Sequence, residues 1–262
     1  ADAVWALSYF TDSGVTSREE VVACLPAFLP LLEHSNISVV VPALRSLGNI
    51  VTSSDNELTS ICIAGGCLVP LRKLLAGKKA AILKEACWVT SNITAGTITQ
   101  IQSVLDSGII PLLIPLVRHT KPDVRKEAAW AVGNAVITGS REQSRQFFVM
   151  GIPQVLCHCL VAHTDARTIV IGLEAIQTLL RHLQALDDQL FQTAVHQIEE
   201  SGLETIENLQ NHSNEQVFQR ALSLIEEFFF SEQDDATEEG TPEAEKPAEN
   251  IFNFGSKEGN TK

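Results

Sequence analysis

The 262-residue chain reads as an all-α solenoid, a stack of helical repeats with no single closed core. Two recurrences carry that reading. Arg45/Asn49, Trp88/Asn92 and Trp130/Asn134 are pairs four residues apart, repeated at steps of 43 and 42 residues, and Trp5/Tyr9 lies 40 residues before Arg45. Gly66, Gly108 and Gly151 recur at steps of 42 and 43 residues, each opening an apolar stretch with proline nearby. Four residues is about one helical turn, so each pair shares a face, and stacking would set the pairs in a row.

The elements follow in order. Ala1-Asp-Ala-Val-Trp5 reads as a long helix already under way, so the chain is expected to be a piece of a longer protein. Cys24-Leu-Pro26-Ala-Phe-Leu is the apolar element without its glycine. The runs LRKLLAG, LLIPLVRH and QVLCHCLVAH each predict one amphipathic helix, with proline in the first turn, where its missing N–H is harmless. Breaks at 76–79 and 121–123 precede KEACWVTSNITAG (84–96) and KEAAWAVGNAVITGS (126–140), both read as helices capped by glycine. A short helix at 101–108 leads to the next marker glycine, so each unit is a short, a middle and a longer helix. Counting on places two further repeats at 141–184 and 185–230, with Gln177 and Phe228 in the asparagine position and no aromatic pair. Residues 231–262 are Glu-, Asp-, Pro-, Thr- and Gly-rich and read as a disordered acidic tail after a folded part at 1–230.

Net charge is −13, of which −6 falls in 231–262, and an acidic body disfavours nucleic acid and favours a basic partner. No segment reads as a membrane span or a secretory leader. The six cysteines lie in apolar helical stretches and read as buried thiols rather than a disulfide framework. Cys157-His158-Cys159 with His163 is a poor metal site, because residues two apart on a helix diverge. No phosphate loop or nucleophile beside a His/Asp pair is legible, so neither a cofactor nor catalysis is expected.

Asparagine is a poor helix-interior residue, and three at one repeat position call for a reason. Its amide offers a donor and an acceptor, the pair needed to hold an extended backbone. Tryptophan faces can sandwich the stem of a lysine or arginine, at roughly 0.5–2 kcal/mol per contact. Glu85 and Glu127 precede a tryptophan by three residues and would meet the charged tips. The alternative is an asparagine ladder and tryptophan packing that only join repeats. Arg45 interrupts the aromatic row, either facing the ligand or bridged to an acid within the groove.

WALSY (5–9), RSLGNIVT (45–52), KEACWVTSNITAG and KEAAWAVGNAV resemble the importin-alpha (karyopherin-alpha) family of armadillo-repeat nuclear import adaptors. The order of variation looks like repeats five to eight, and 202–229 looks like the tenth. The resemblance implies a right-handed armadillo superhelix and a minor site for basic nuclear localisation signals. Carried over, that site is Arg45, Asn49, Val51, Thr52, Trp88, Ser91, Asn92, Glu127, Trp130 and Asn134, with Glu85 as the acidic neighbour. Leu58 stands where the family offers a small hydroxyl, with Thr59 one residue on, which puts one lysine pocket in question. The family's importin-beta-binding segment and major site have no counterpart here. Its tenth repeat and acidic stretch imply an exportin-facing region at 204–245, and its members shuttle between cytoplasm and nucleus. A different armadillo scaffold, with a basic groove for acidic ligands, is the main rival, and a metal-dependent hydrolase the second.

Overall fold

The computed structural model describes residues 1–12, 17–52, 56–160 and 165–230. In chain order the helices are α1 (Asp2–Asp12), α2 (Arg18–Phe28, continuing as a 3₁₀ turn Leu29–Glu33) and α3 (Ile37–Val51). Next come α4 (Asn56–Ala64), α5 (Leu68–Leu75) and α6 (Ala80–Thr94), then α7 (Ile98–Asp106), α8 (Ile110–Leu113, continuing as a 3₁₀ turn Ile114–Arg118) and α9 (Pro122–Thr138). The rest are α10 (Arg141–Val149), α11 (Ile152–His158), α12 (Ala166–Gln184), α13 (Asp188–Leu209) and α14 (Glu215–Phe228). Ala1–Phe229 form one unit, and the predicted tail 231–262 lies outside the described residues.

The short–middle–long unit occurs in full as α4–α6, α7–α9 and α10–α12. The third helices stack in series, α1 on α3, α3 on α6, α6 on α9, α9 on α12 and α12 on α14. Leu44, Leu71, Ile93, Ile110, Leu113, Ile152 and Leu179 are fully buried between layers. Each such side chain contributes about 1.5–3 kcal/mol on leaving water, so each repeat is held by its neighbours.

Gly66, Gly108 and Gly151 have φ of +91°, +71° and +78°, a left-handed conformation that costs other residues their Cβ clearance. The chain turns there by 82° between α4 and α5 and by 78° between α7 and Ile110–Arg118. No single helix among the described residues is long and apolar enough to cross a membrane.

Four expectations need correction. The element at 24–29 is not a helix of its own: it is the end of α2, which begins at Arg18 and runs straight into its 3₁₀ turn. The last repeat has two helices rather than three, because the 22-residue α13 runs unbroken through Gly202. Gly202 is a close-packing glycine, since a Cβ there would fall 2.6 Å from Cys157 Sγ. Gly96 and Gly139 do not cap in the left-handed form; α6 ends at Ala95 with φ −75°, and Gly139 is extended at φ −67°, ψ 161°. Cys24 is exposed, while the other five cysteines are buried free thiols, and burial pushes Cys62 and Cys159 up to about 12.

The reason for Gly96 lies in the next helix. A Cβ there would sit 1.9 Å from Gln100 Oε1, which closes a capping box by accepting the Thr97 N–H at 2.9 Å. Gln100 Nε2 then donates across the repeat to Asn56 O at 2.7 Å and Ser60 Oγ at 2.9 Å. Gln143 repeats the device, reaching Ile98 O at 2.8 Å and Gln102 Oε1 at 3.1 Å. Glutamate completes such a box at Glu20, but it has no N–H to send to the repeat before.

Gln100→Glu should therefore keep the cap and lose the cross-repeat bonds, lowering stability by about 1–3 kcal/mol in urea unfolding. Gly66→Ala, with no heavy atom within 4 Å of the added methyl, should cost about 1–2 kcal/mol from backbone conformation alone.

Candidate peptide-binding groove

The third helices can be aligned on their N-caps, Asn36, Lys79, Lys121, Asp165 and Asn214. Six, nine and thirteen residues on stand Pro42, Arg45 and Asn49 on α3, Glu85, Trp88 and Asn92 on α6, and Glu127, Trp130 and Asn134 on α9. These intervals fall on one helical face, and the stack brings the three faces side by side.

Each asparagine reaches back to the preceding third helix. Asn49 Nδ2 donates to Ser8 O at 2.9 Å and Thr11 Oγ1 at 3.2 Å, and Asn134 Nδ2 to Ser91 O at 3.0 Å. Asn92 Nδ2 donates to Thr52 Oγ1 at 2.5 Å, whose own proton goes to Gly48 O at 2.6 Å. The carbonyl acceptors fix the sense of the amides, so the NH₂ faces the neighbour and Oδ1 faces away. Among the described residues no donor reaches the three Oδ1 atoms. The row thus joins repeats through the NH₂ group and leaves the acceptor free at all three positions, with a second hydrogen also free at Asn92 and Asn134.

The two tryptophans are half-buried and seated differently. Trp88 lies on bare backbone: a Cβ at Gly48 would be 2.0 Å from its Cζ3. Trp130 is pinned forward, its Nε1 donating to Thr168 Oγ1 at 3.0 Å, and Thr168 in turn to Asp165 Oδ2 at 2.9 Å. The residue before each asparagine also differs, being Gly48, Ser91 and Gly133. The Ser91 backbone carbonyl accepts from Asn134, while the missing Cβ makes room for the Trp88 ring at Gly48 and for Ile171 at Gly133. Trp5 stacks on Tyr9 at 6.2 Å between centroids, with Tyr9 exposed.

The acids also differ. Glu85 is only 6% exposed, and its carboxylate takes Arg45 Nη2 at 3.1 Å with Lys84 Nζ at 3.9 Å. Arg45 is therefore bridged within the groove, with its side chain half-exposed. Glu127 has no hydrogen-bond partner among the described residues. Burial raises its pKa, and Lys126 and Lys84 only partly offset that. It is the carboxylate on this face that an incoming cation would relieve.

Val51 and Ser91 are buried and act through backbone and shape; Ser91 Oγ donates to Trp88 O at 2.8 Å. Thr52 is exposed. Leu58 is buried, and Thr59, also buried, gives its hydroxyl to Val51 O at 3.3 Å, so neither presents a hydroxyl to solvent.

The last two repeats correct the spacing count. From the left-handed glycine to the cap, the link into α12 is one residue longer than its counterparts, so Thr178, not Gln177, takes the asparagine position. In α14 that position is Glu227, while Phe228 packs on Phe191 at 5.9 Å. Gln177 is buried and donates to Ser223 Oγ at 3.2 Å and Glu227 Oε2 at 2.7 Å. His163 lies outside the described residues, and no group of three metal-ligating side chains occurs among them.

Sequence alone did not reveal Gly48 as the seat of Trp88, although a glycine before asparagine in two of three copies was a visible sign. Thr168 and Asp165 carried no sign, since 38 residues separate Thr168 from Trp130.

The family described as Armadillo/beta-catenin-like repeat matches residues 17–52 and 99–137, and that described as Atypical Arm repeat matches 193–243. Importin subunit alpha-1a of Oryza sativa subsp. japonica is 37% identical over 264 residues, covering 97% of this chain and 49% of the relative. Importin subunit alpha-4 of Arabidopsis thaliana is 37% identical over 263 residues, covering 97% and 48%. The chain thus spans about half the length of these relatives. A designed armadillo repeat protein in complex with the peptide (KR)4 superposes with a TM-score of 0.72 at 27% identity, covering 87% of this chain and 92% of its own.

Gly48→Ala should drive Trp88 off its seat, seen as a shift in tryptophan emission with little loss of helical circular dichroism. Glu127→Gln should be more stable than the parent at mildly alkaline pH. The raised carboxyl contributes stability below its unfolded value and loses it as pH climbs through the folded one, so the difference should shrink on acidification. Urea titrations at several pH values check the sign.

Proposed function

Because the chain belongs to the importin-alpha family of armadillo-repeat proteins, we propose that its third-helix face binds the lysine- and arginine-rich localisation signals of nuclear cargo. The carrying observation is the placement of Trp88, Trp130 and the unpartnered Glu127 beside three asparagine carbonyls turned away from the stack. A peptide lies extended along the row. Its backbone N–H groups donate to asparagine Oδ1, which works for any sequence because every residue but proline has that donor. The stems of its basic side chains lie against the indoles, and one charged tip meets Glu127.

Glu85 enters indirectly in this reading. Its charge is already balanced by Arg45, so it holds the arginine and shapes the groove without taking a cation itself. The net charge of −13 speeds encounter with a basic ligand and makes binding sensitive to salt. The match of a designed armadillo protein that holds an alternating Lys/Arg peptide supports a cationic ligand over an acidic one.

On the same premise the whole protein works as a non-enzymatic import adaptor shuttling between cytoplasm and nucleus. Importin-beta engages it through a segment outside these residues, and a recycling exportin engages the region 204–245.

Asn92→Ala combined with Trp130→Ala should remove most of the affinity for a monopartite basic peptide, about tenfold to a hundredfold, as a hydrogen bond and a cation–π contact are lost together. Fluorescence anisotropy at two salt concentrations reads this, and unchanged binding by the double variant would refute the assignment.

A further inference from the structure

The groove face does not fade toward the C-terminus; it changes polarity. Nine residues after its cap α3 carries Arg45, which bridges Glu85, six residues after the cap of α6, at 3.1 Å. The same two positions recur on α12 and α14 with the charges exchanged: Glu174 Oε2 meets Arg220 Nη2 at 3.2 Å. A second bridge adjoins it, with Arg181 Nε and Nη2 at 2.6 and 2.7 Å from the two oxygens of Glu227, which occupies the asparagine position. Between these charge pairs lie Trp88, Glu127 and Trp130.

We propose that the ion pairs of α12 and α14 form a stop that ends the cation-accepting register, just as Arg45 ends it on the other side, so that the groove selects the length of a basic run. This rests on the peptide-binding reading above. On α6 and α9 the face offers indoles and a carboxylate in want of a cation. On α12 and α14 every carboxylate at an equivalent position is already neutralised by a built-in arginine, and the aromatic position holds Glu174 and Ser223. A lysine reaching that stretch meets two guanidinium groups and finds no free acid at the groove positions, whereas an acidic or neutral residue meets no penalty. Third helices pack roughly 8–10 Å apart and an extended chain rises roughly 3.3 Å per residue, so each helix is passed by about three ligand residues. A window of two helices then holds a basic run of about six.

The test compares peptides carrying six or twelve consecutive Lys/Arg residues, titrated against the full chain and its Arg181→Ala/Arg220→Ala variant, which uncovers Glu174 and Glu227. Comparing the two proteins on one peptide cancels the extra binding registers of the longer run. The variant should bind the twelve-residue peptide about fivefold more tightly than the parent does, the order expected of newly available surface ion pairs, and the six-residue peptide within about twofold. Arg141→Ala/Arg145→Ala on α10 removes the same charge from exposed positions off this face and should show no length preference. An equal gain for both peptides, or the same length preference in the α10 variant, overturns the stop. If the alanine variant melts well below the parent, Arg181→Gln/Arg220→Gln carries the same comparison. Failure of the parent to bind the six-residue peptide at all would instead refute the groove as a basic-peptide site.

Discussion

The donation of a side-chain amide from each of α3, α6 and α9 to the third helix before it is the constraint on which the groove depends. Asn49, Asn92 and Asn134 each bridge a layer, and each bridge orients the carbonyl of the same amide away from the stack. On the proposed function, stability and recognition are carried by opposite ends of one carboxamide. Joining repeats and gripping a ligand are thus not competing accounts of the asparagine row. A second amide ladder, Gln100 and Gln143, does the same for the first helices without leaving anything to a ligand.

Glycine sets the second constraint, in two physically distinct ways. At Gly66, Gly108 and Gly151 the backbone is left-handed, and the chain turns. At Gly48, Gly96, Gly133 and Gly202 the backbone is ordinary and the missing Cβ is the point, because a ring, an amide, a branched chain or a thiol occupies its place. Gly48 belongs to the same face: it lets the Trp88 ring pack directly against the neighbouring helix backbone, which fixes the ring that a lysine stem would contact on the proposed function.

Electrostatics then divides the face. Glu85 and Glu127 occupy the same repeat position, yet the first is neutralised by Arg45 and the second is left with its carboxyl raised by burial. One arginine thus decides which of two equivalent acids is left without an ion-pair partner among the described residues. Toward the C-terminus the same logic is applied with the signs exchanged, and Glu174 and Glu227 are both consumed by arginines of the stack.

The repeat period, the helical class, the bend glycines and the Trp/Asn face were legible from sequence because they recur at a fixed spacing, and a side chain's face on a helix follows from its number alone. The alignment of the last two repeats was not, since the link into α12 is one residue longer than its counterparts and the last repeat has no bend glycine to count from, and a single residue turns a position by about a hundred degrees around the helix. Nor was the partner of any side chain across the stack: Trp130 with Thr168, Arg45 with Glu85 and Gln177 with Glu227 are 38, 40 and 50 residues apart. The chain by itself determined which groups lie on the groove. Only packing one repeat on the next decided which of them are already satisfied, because that depends on distances between helices that no local pattern encodes.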